Sequence, residues 1–97
     1  MQKELKNFLL RLDLTNGEIE SIEMIAPMFE VVTFEEFIEN MMLFIQYGYP
    51  EEDISSLLLV NPNIFILSTE SLKRELEKIK KKYGDVEEVF KKDPFII

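Results

Sequence analysis

Residues 47–65 read YGYPEEDISSLLLVNPNIF. Gly48 suits a left-handed helix terminator. Pro50 suits the first turn of a new helix. Glu51, Glu52 and Asp53 then stand where the helix dipole favours anions. Ile54, Leu57 and Leu58 form one apolar stripe at helical spacing. Asn61-Pro62 ends it, because proline lacks a backbone donor and pushes the residue before it out of the α region. Thirty-five residues earlier, residues 12–29 read LDLTNGEIESIEMIAPMF, with the same order of turn, acidic start, apolar stripe and proline.

Working outward, Leu5, Phe8, Leu9 and Leu12 make one face of a helix over about 3–12. Thr15 with Glu18 is a capping-box pattern opening a helix over about 16–26, with Ile19, Ile22 and either Ile25 or Ala26 facing inward. Thr33 with Glu36 opens a helix over about 34–47 that carries Phe34, Phe37, Ile38, Met41, Met42 and Ile45. Ser68 caps a helix over about 69–83 with Leu72, Leu76, Ile79 and Tyr83 on one stripe, ended by Gly84. Asp85 with Glu88 is a third capping-box pattern, and Pro94 stops the short helix that follows. No segment alternates with period two, so the chain reads as all-α. The apolar connectors 29–32 and 64–67 are the only stretches open to a brief strand.

Sliding the sequence by 35 residues places Glu18 on Asp53, Ile19 on Ile54, Ile22 on Leu57, Pro27 on Pro62, Thr33 on Ser68, Phe37 on Leu72 and Met41 on Leu76. Residues 84–97 restart the unit. The expected organisation is one domain over 1–97, with a capping helix at about 3–12, repeats at about 13–47 and 48–83, and a partial third at 84–97. Helix pairs of this kind bury their apolar faces only by stacking on neighbours, which predicts a short α-solenoid.

The unit from Gly48 onward resembles the repeat of the mitochondrial transcription termination factor (mTERF) family. Gly48, Tyr49, Asp53, Ile54, Pro62, Leu72, Leu76 and Ile79 carry the likeness, and Pro27 and Pro94 repeat its proline. It covers about residues 13–97. The resemblance implies a curved, right-handed-type solenoid that binds nucleic acid along a positive face, largely through basic residues on the second helices. Lys73 and Arg74 fall at matching positions. Members of that family are usually longer, organelle-targeted and basic.

This chain is acidic, with a net charge of −8, and the charge is uneven. Residues 1–44 hold 3 basic and 9 acidic side chains, residues 45–72 none and 4, and residues 73–97 hold 8 and 6. Overall acidity disfavours broad nucleic-acid affinity, which depends on cations neutralising phosphates. Without cysteine there is no disulfide and no thiolate metal site, and without histidine the commonest general base and metal ligand are missing. No carboxylate pair is singled out for acid–base work, so the chain reads as non-enzymatic, with no cofactor, metal or small-molecule substrate.

One candidate site is the basic helix segment 73–82. Arg74, Lys78 and Lys81 or Lys82 share a face, with Lys73 beside them. A solvated surface is the competing reading. Lys80–Lys82 complement the helix dipole, and Glu70–Arg74 and Glu77–Lys81 are spaced as i,i+4 pairs. The acidic triplets at helix starts are explained by capping. Met24, Met28, Met41 and Met42 read as core more than as an adaptable groove. The apolar terminus Phe95, Ile96 and Ile97 either covers the core or marks contact with another chain. The N-terminal stretch MQKELKNFLLRL has the features of neither a signal nor a transit peptide, and no apolar run spans a bilayer, so the cytoplasm is the default compartment. The functional expectation is an interaction module that binds a protein or itself. Nucleic-acid binding through Lys73, Arg74, Lys78, Lys81 and Lys82 is the alternative.

Overall fold

Two kinds of break, each recurring, divide the chain. A computed structural model describes all residues 1–97. It contains α1 (Lys3–Arg11), α2 (Asn16–Ile25), α3 (Phe34–Gln46), α4 (Ile54–Val60), α5 (Thr69–Tyr83) and α6 (Val86–Lys92), with 3₁₀ turns at Pro27–Glu30, Glu51–Asp53 and Pro62–Ile66.

The first break precedes proline. Ala26, Asn61 and Asp93 take nearly the same backbone conformation, with φ/ψ of −129°/79°, −140°/76° and −142°/87°. Each N–H still donates to the carbonyl four residues back, on Ile22, Leu57 and Val89. The clash with the following proline ring excludes the α region for these residues and ends each helix at the same point. The second break is left-handed, with positive φ at Asp13 (67°), Gly48 (93°) and Gly84 (85°). The Leu14 N–H donates to the Leu9 carbonyl at 3.3 Å and the Tyr49 N–H to the Phe44 carbonyl at 2.9 Å, two bonds 35 residues apart. Both close a Schellman-type end. The backbone equivalence therefore reaches back into α1, which ends as α3 does. Asp13 holds this conformation with a short polar side chain where Gly48 needs none.

The threonine caps form as expected. Thr15 Oγ1 accepts from Glu18 N–H at 3.1 Å while Glu18 accepts from Thr15 N–H at 2.9 Å, and Thr33 with Glu36 repeats the exchange. The third box is only half made. Asp85 accepts from Glu88 N–H at 3.2 Å, but the Glu88 carboxylate takes Lys92 Nζ at 2.8 Å instead of the cap. Ser68 caps α5 through Ser71 N–H.

Several expectations are corrected. The acids 51–53 form a 3₁₀ turn ahead of α4, and Pro50 precedes that turn rather than sitting in the helix. The all-α reading holds, with no strand, and the apolar connectors fall partly within the 3₁₀ turns Pro27–Glu30 and Pro62–Ile66. Ala26 is buried while Ile25 is half exposed. Tyr83, the last residue of α5, is also exposed. The methionines do not gather. Met41 is buried, but Met24, Met28 and Met42 face outward.

In the packing, α1 lies on α3, α3 on α5, and α5 on α6, while α2 lies on α4 and on the Pro62–Ile66 turn. The interior is joined by aromatic rings. Phe37 stacks on Phe65 at 5.6 Å, Phe65 meets Phe44 at 5.1 Å, and Phe44 meets Phe90 edge-on at 5.2 Å. Two asparagines are buried among them. Asn40 Nδ2 donates to the carbonyls of Phe65 and Leu67, and Asn61 Nδ2 donates to that of Pro94 at 3.0 Å. No helix is long and apolar enough to cross a membrane.

Candidate interaction surfaces

Helix α5 buries Leu72, Leu76 and Ile79 and turns its cations outward. Lys73, Arg74, Lys78, Lys81 and Lys82 are all exposed. They do not form an uninterrupted positive face. At 3.6 residues per turn, Glu70, Arg74, Glu77 and Lys81 make one stripe of alternating sign down its middle. Neither expected i,i+4 pair forms an ion pair. Lys78 instead approaches Glu75 at 3.5 Å, and Glu77 accepts the hydroxyl of Tyr47 from the end of α3. In the first unit the positions equivalent to Lys73–Glu75 are Ile38, Glu39 and Asn40. Asn40 is buried there, and Glu39 accepts from Thr69 at 3.1 Å, so no basic surface runs across the units.

The Tyr47–Glu77 contact titrates. Its hydrogen bond to the carboxylate, then partial burial, push the Tyr47 phenol up to about 12. The folded-state value lies above the usual value of 10.0. The contact therefore stabilises fully below the unfolded tyrosine's range, and the gain is lost as pH rises through about 12. Glu77→Gln is expected to bring Tyr47 back toward the ordinary range in a tyrosinate absorbance titration. Tyr49, raised chiefly by burial, should stay late. An unchanged titration curve would show that the contact does not form.

At the other end, α5 and α6 frame a half-open cavity of about 350 Å³ lined by Tyr83, Val89 and Ile96 with Asp85, Lys92 and Asp93 at its edges. Phe95 is 63% exposed beside it, and Ile96 and Ile97 are half-buried against the core. Of the three terminal residues, two cover the core and Phe95 projects into solvent. Tyr83 and Val89 both read as helix-stripe residues, and no local signal marks them for this surface. Tyr83 is exposed where Gly84 ends α5, while Val89 is half-buried on the two-turn α6. Helix α6 is anchored by Lys91, whose Nζ lies 2.8 Å from Asp53 and 2.6 Å from Glu87, and both carboxylates hold that ammonium above its ordinary range. No three acidic side chains converge as a metal site.

Comparisons with known protein families, with curated proteins and with solved structures gave no match.

Proposed function

We propose that this chain is a non-enzymatic interaction module, an mTERF-like α-solenoid of right-handed type, that pairs with a second copy through its Tyr83–Ile97 end. The packing of α1, α3 and α5 as one layer, with α2 on α4 as the other, supports the solenoid reading. The observation that carries the function is the combination of charge and exposure at this end. Residues 1–72 hold 3 basic and 13 acidic side chains and would repel another copy, whereas residues 73–97 hold 8 and 6. The exposed Phe95 and the cavity beside it lie in that balanced region. A surface that meets its own copy across a two-fold axis closes as a dimer.

Sedimentation equilibrium tests the pairing. A reversible dimer is expected, with Phe95→Asp returning it to monomer. A strict monomer at about 1 mM, where an association of only ~4 kcal/mol would show, overturns it.

The exposed cations of α5 favour a second reading, nucleic-acid binding. The carboxylates interleaved with them weigh against it. Gel shifts with DNA and RNA at about 50 mM salt, where phosphate contacts are strong, are expected to show no retarded band. A band lost on Arg74→Glu would reverse the preference.

A further inference from the structure

The proline turns display apolar side chains at equivalent positions. Two residues before the proline stand Ile25 and Val60, 52% and 46% exposed. One residue after it stand Met28, Asn63 and Phe95, with Met28 and Phe95 each 63% exposed. The turns adjoin, since α2 packs on α4 and on the Pro62–Ile66 turn and Asn61 reaches the Pro94 carbonyl. The apolar edge is densest at the first turn, where Met24 (81%) and Val31 (63%) join Ile25 and Met28. No side chain of the chain itself covers these four.

The side-chain charge around this edge has one sign, and the one cation beside it is the Met1 ammonium on Glu23. From Leu12 to Leu72 the chain has 12 acidic residues and no lysine or arginine. Glu20, Glu30 and Glu35, each within four residues of Met24 or Val31 along the chain, are exposed, and none of them is in an ion pair. Glu23 is different, because it is held by the Met1 amine at 3.1 Å.

We propose that the Met24–Val31 edge with its glutamate rim is a docking site for a basic amphipathic helix of another protein. The apolar side of such a helix would cover Ile25, Val31 and the two methionines, whose unbranched side chains adapt to varied partners. Its lysines or arginines would meet Glu20, Glu30 and Glu35. A nucleic acid or an anionic membrane surface is repelled by the same rim. A second copy offers no match, because α5, its most cationic helix, has its apolar stripe buried. This inference rests on the interaction-module reading and adds a partner class at a surface separate from the Tyr83–Ile97 end.

The test uses the full chain and three synthetic peptides. One is a leucine/lysine peptide with helical amphipathic spacing, one has the same composition scrambled, and one has glutamate for lysine. Affinity is read by fluorescence anisotropy and location by amide chemical shifts. The amphipathic basic peptide is expected to bind at least about tenfold tighter than the other two, with shifts concentrated at residues 24–31. Met24→Ser with Met28→Ser should weaken it about tenfold or more without changing the melting curve, since both side chains are exposed. Equal binding of the scrambled peptide, or no effect of the double substitution, overturns the proposal. Shifts confined to Tyr83–Ile97 also overturn it while leaving the module reading in place. Loss of peptide binding alone, with the dimer intact, separates failure of the edge from failure of the end.

Discussion

Phe44→Ala is expected to lower the unfolding free energy by about 3–5 kcal/mol, the range for truncating a large buried aromatic side chain. Phe44 is fully buried and lies within 5.1–6.0 Å, centroid to centroid, of Phe65, Phe90 and Tyr49. These rings come from the Pro62–Ile66 turn, from α6 and from the approach to α4. One truncation therefore opens a cavity where three parts of the chain meet. Edge-on and tilted ring pairs add to the loss beyond buried area. A domain of this size holds roughly 5–15 kcal/mol in all, so the variant should lose much of its stability. Urea unfolding followed by circular dichroism measures this. A loss below about 1 kcal/mol would mean that the three elements do not share this core.

Asn40→Leu is expected to cost about 2–4 kcal/mol in the same measurement. Asn40 is 2% exposed, and its Nδ2 donates to Phe65 O at 2.9 Å and Leu67 O at 2.7 Å. Its Oδ1 accepts from the Thr69 hydroxyl at 3.2 Å. Leucine has the same branching but is bulkier and has no donor, so two carbonyls lose their amide partner in a site that must also take extra volume, and a buried polar group left unpaired costs about 1–3 kcal/mol. Thr69→Val leaves both amide-to-carbonyl bonds in place and removes one hydroxyl, whose single proton is shared between Asn40 Oδ1 and the exposed Glu39 carboxylate, so it should cost under about 1 kcal/mol. Equal effects from the two variants would mean that the amide is not the group joining α3 to the next turn.

The positions of these features in the sequence explain what could be read there. Helix boundaries were legible because proline, glycine and capping threonine act within a few residues. Asn40 left a trace as well. It lies at i+3 from Phe37 and one residue before Met41, on the buried stripe, although a polar residue within FIENMM reads first as solvent-facing. Nothing local predicts that Asn61 will reach Pro94, or Lys91 reach Asp53, because those partners are 33 and 38 residues away. Glu88 shows another limit. It is placed equally well for the Asp85 cap and for Lys92, and the ion pair wins. Of the two surfaces, the apolar terminus was visible in the sequence. The methionine edge was not, because Met24 and Met28 read as core, whereas Met24 lies off the buried Ile19–Ile22 stripe of α2 and Met28 sits on the outer side of the Pro27–Glu30 turn.

The stretch without cations has a practical consequence. Between Arg11 and Lys73 no side chain carries an amine or guanidinium. Trypsin therefore has no cleavage site across α2, α3 and α4, and complete digestion should release residues 12–73 as a single peptide. Amine-directed cross-linkers and lysine-modifying enzymes meet only α1, α5, α6 and the chain's own amino terminus. The Met24–Val31 edge carries no amine of its own, so a cross-linking map of a complex would report it only through the Met1 amine, which lies 3.1 Å from Glu23.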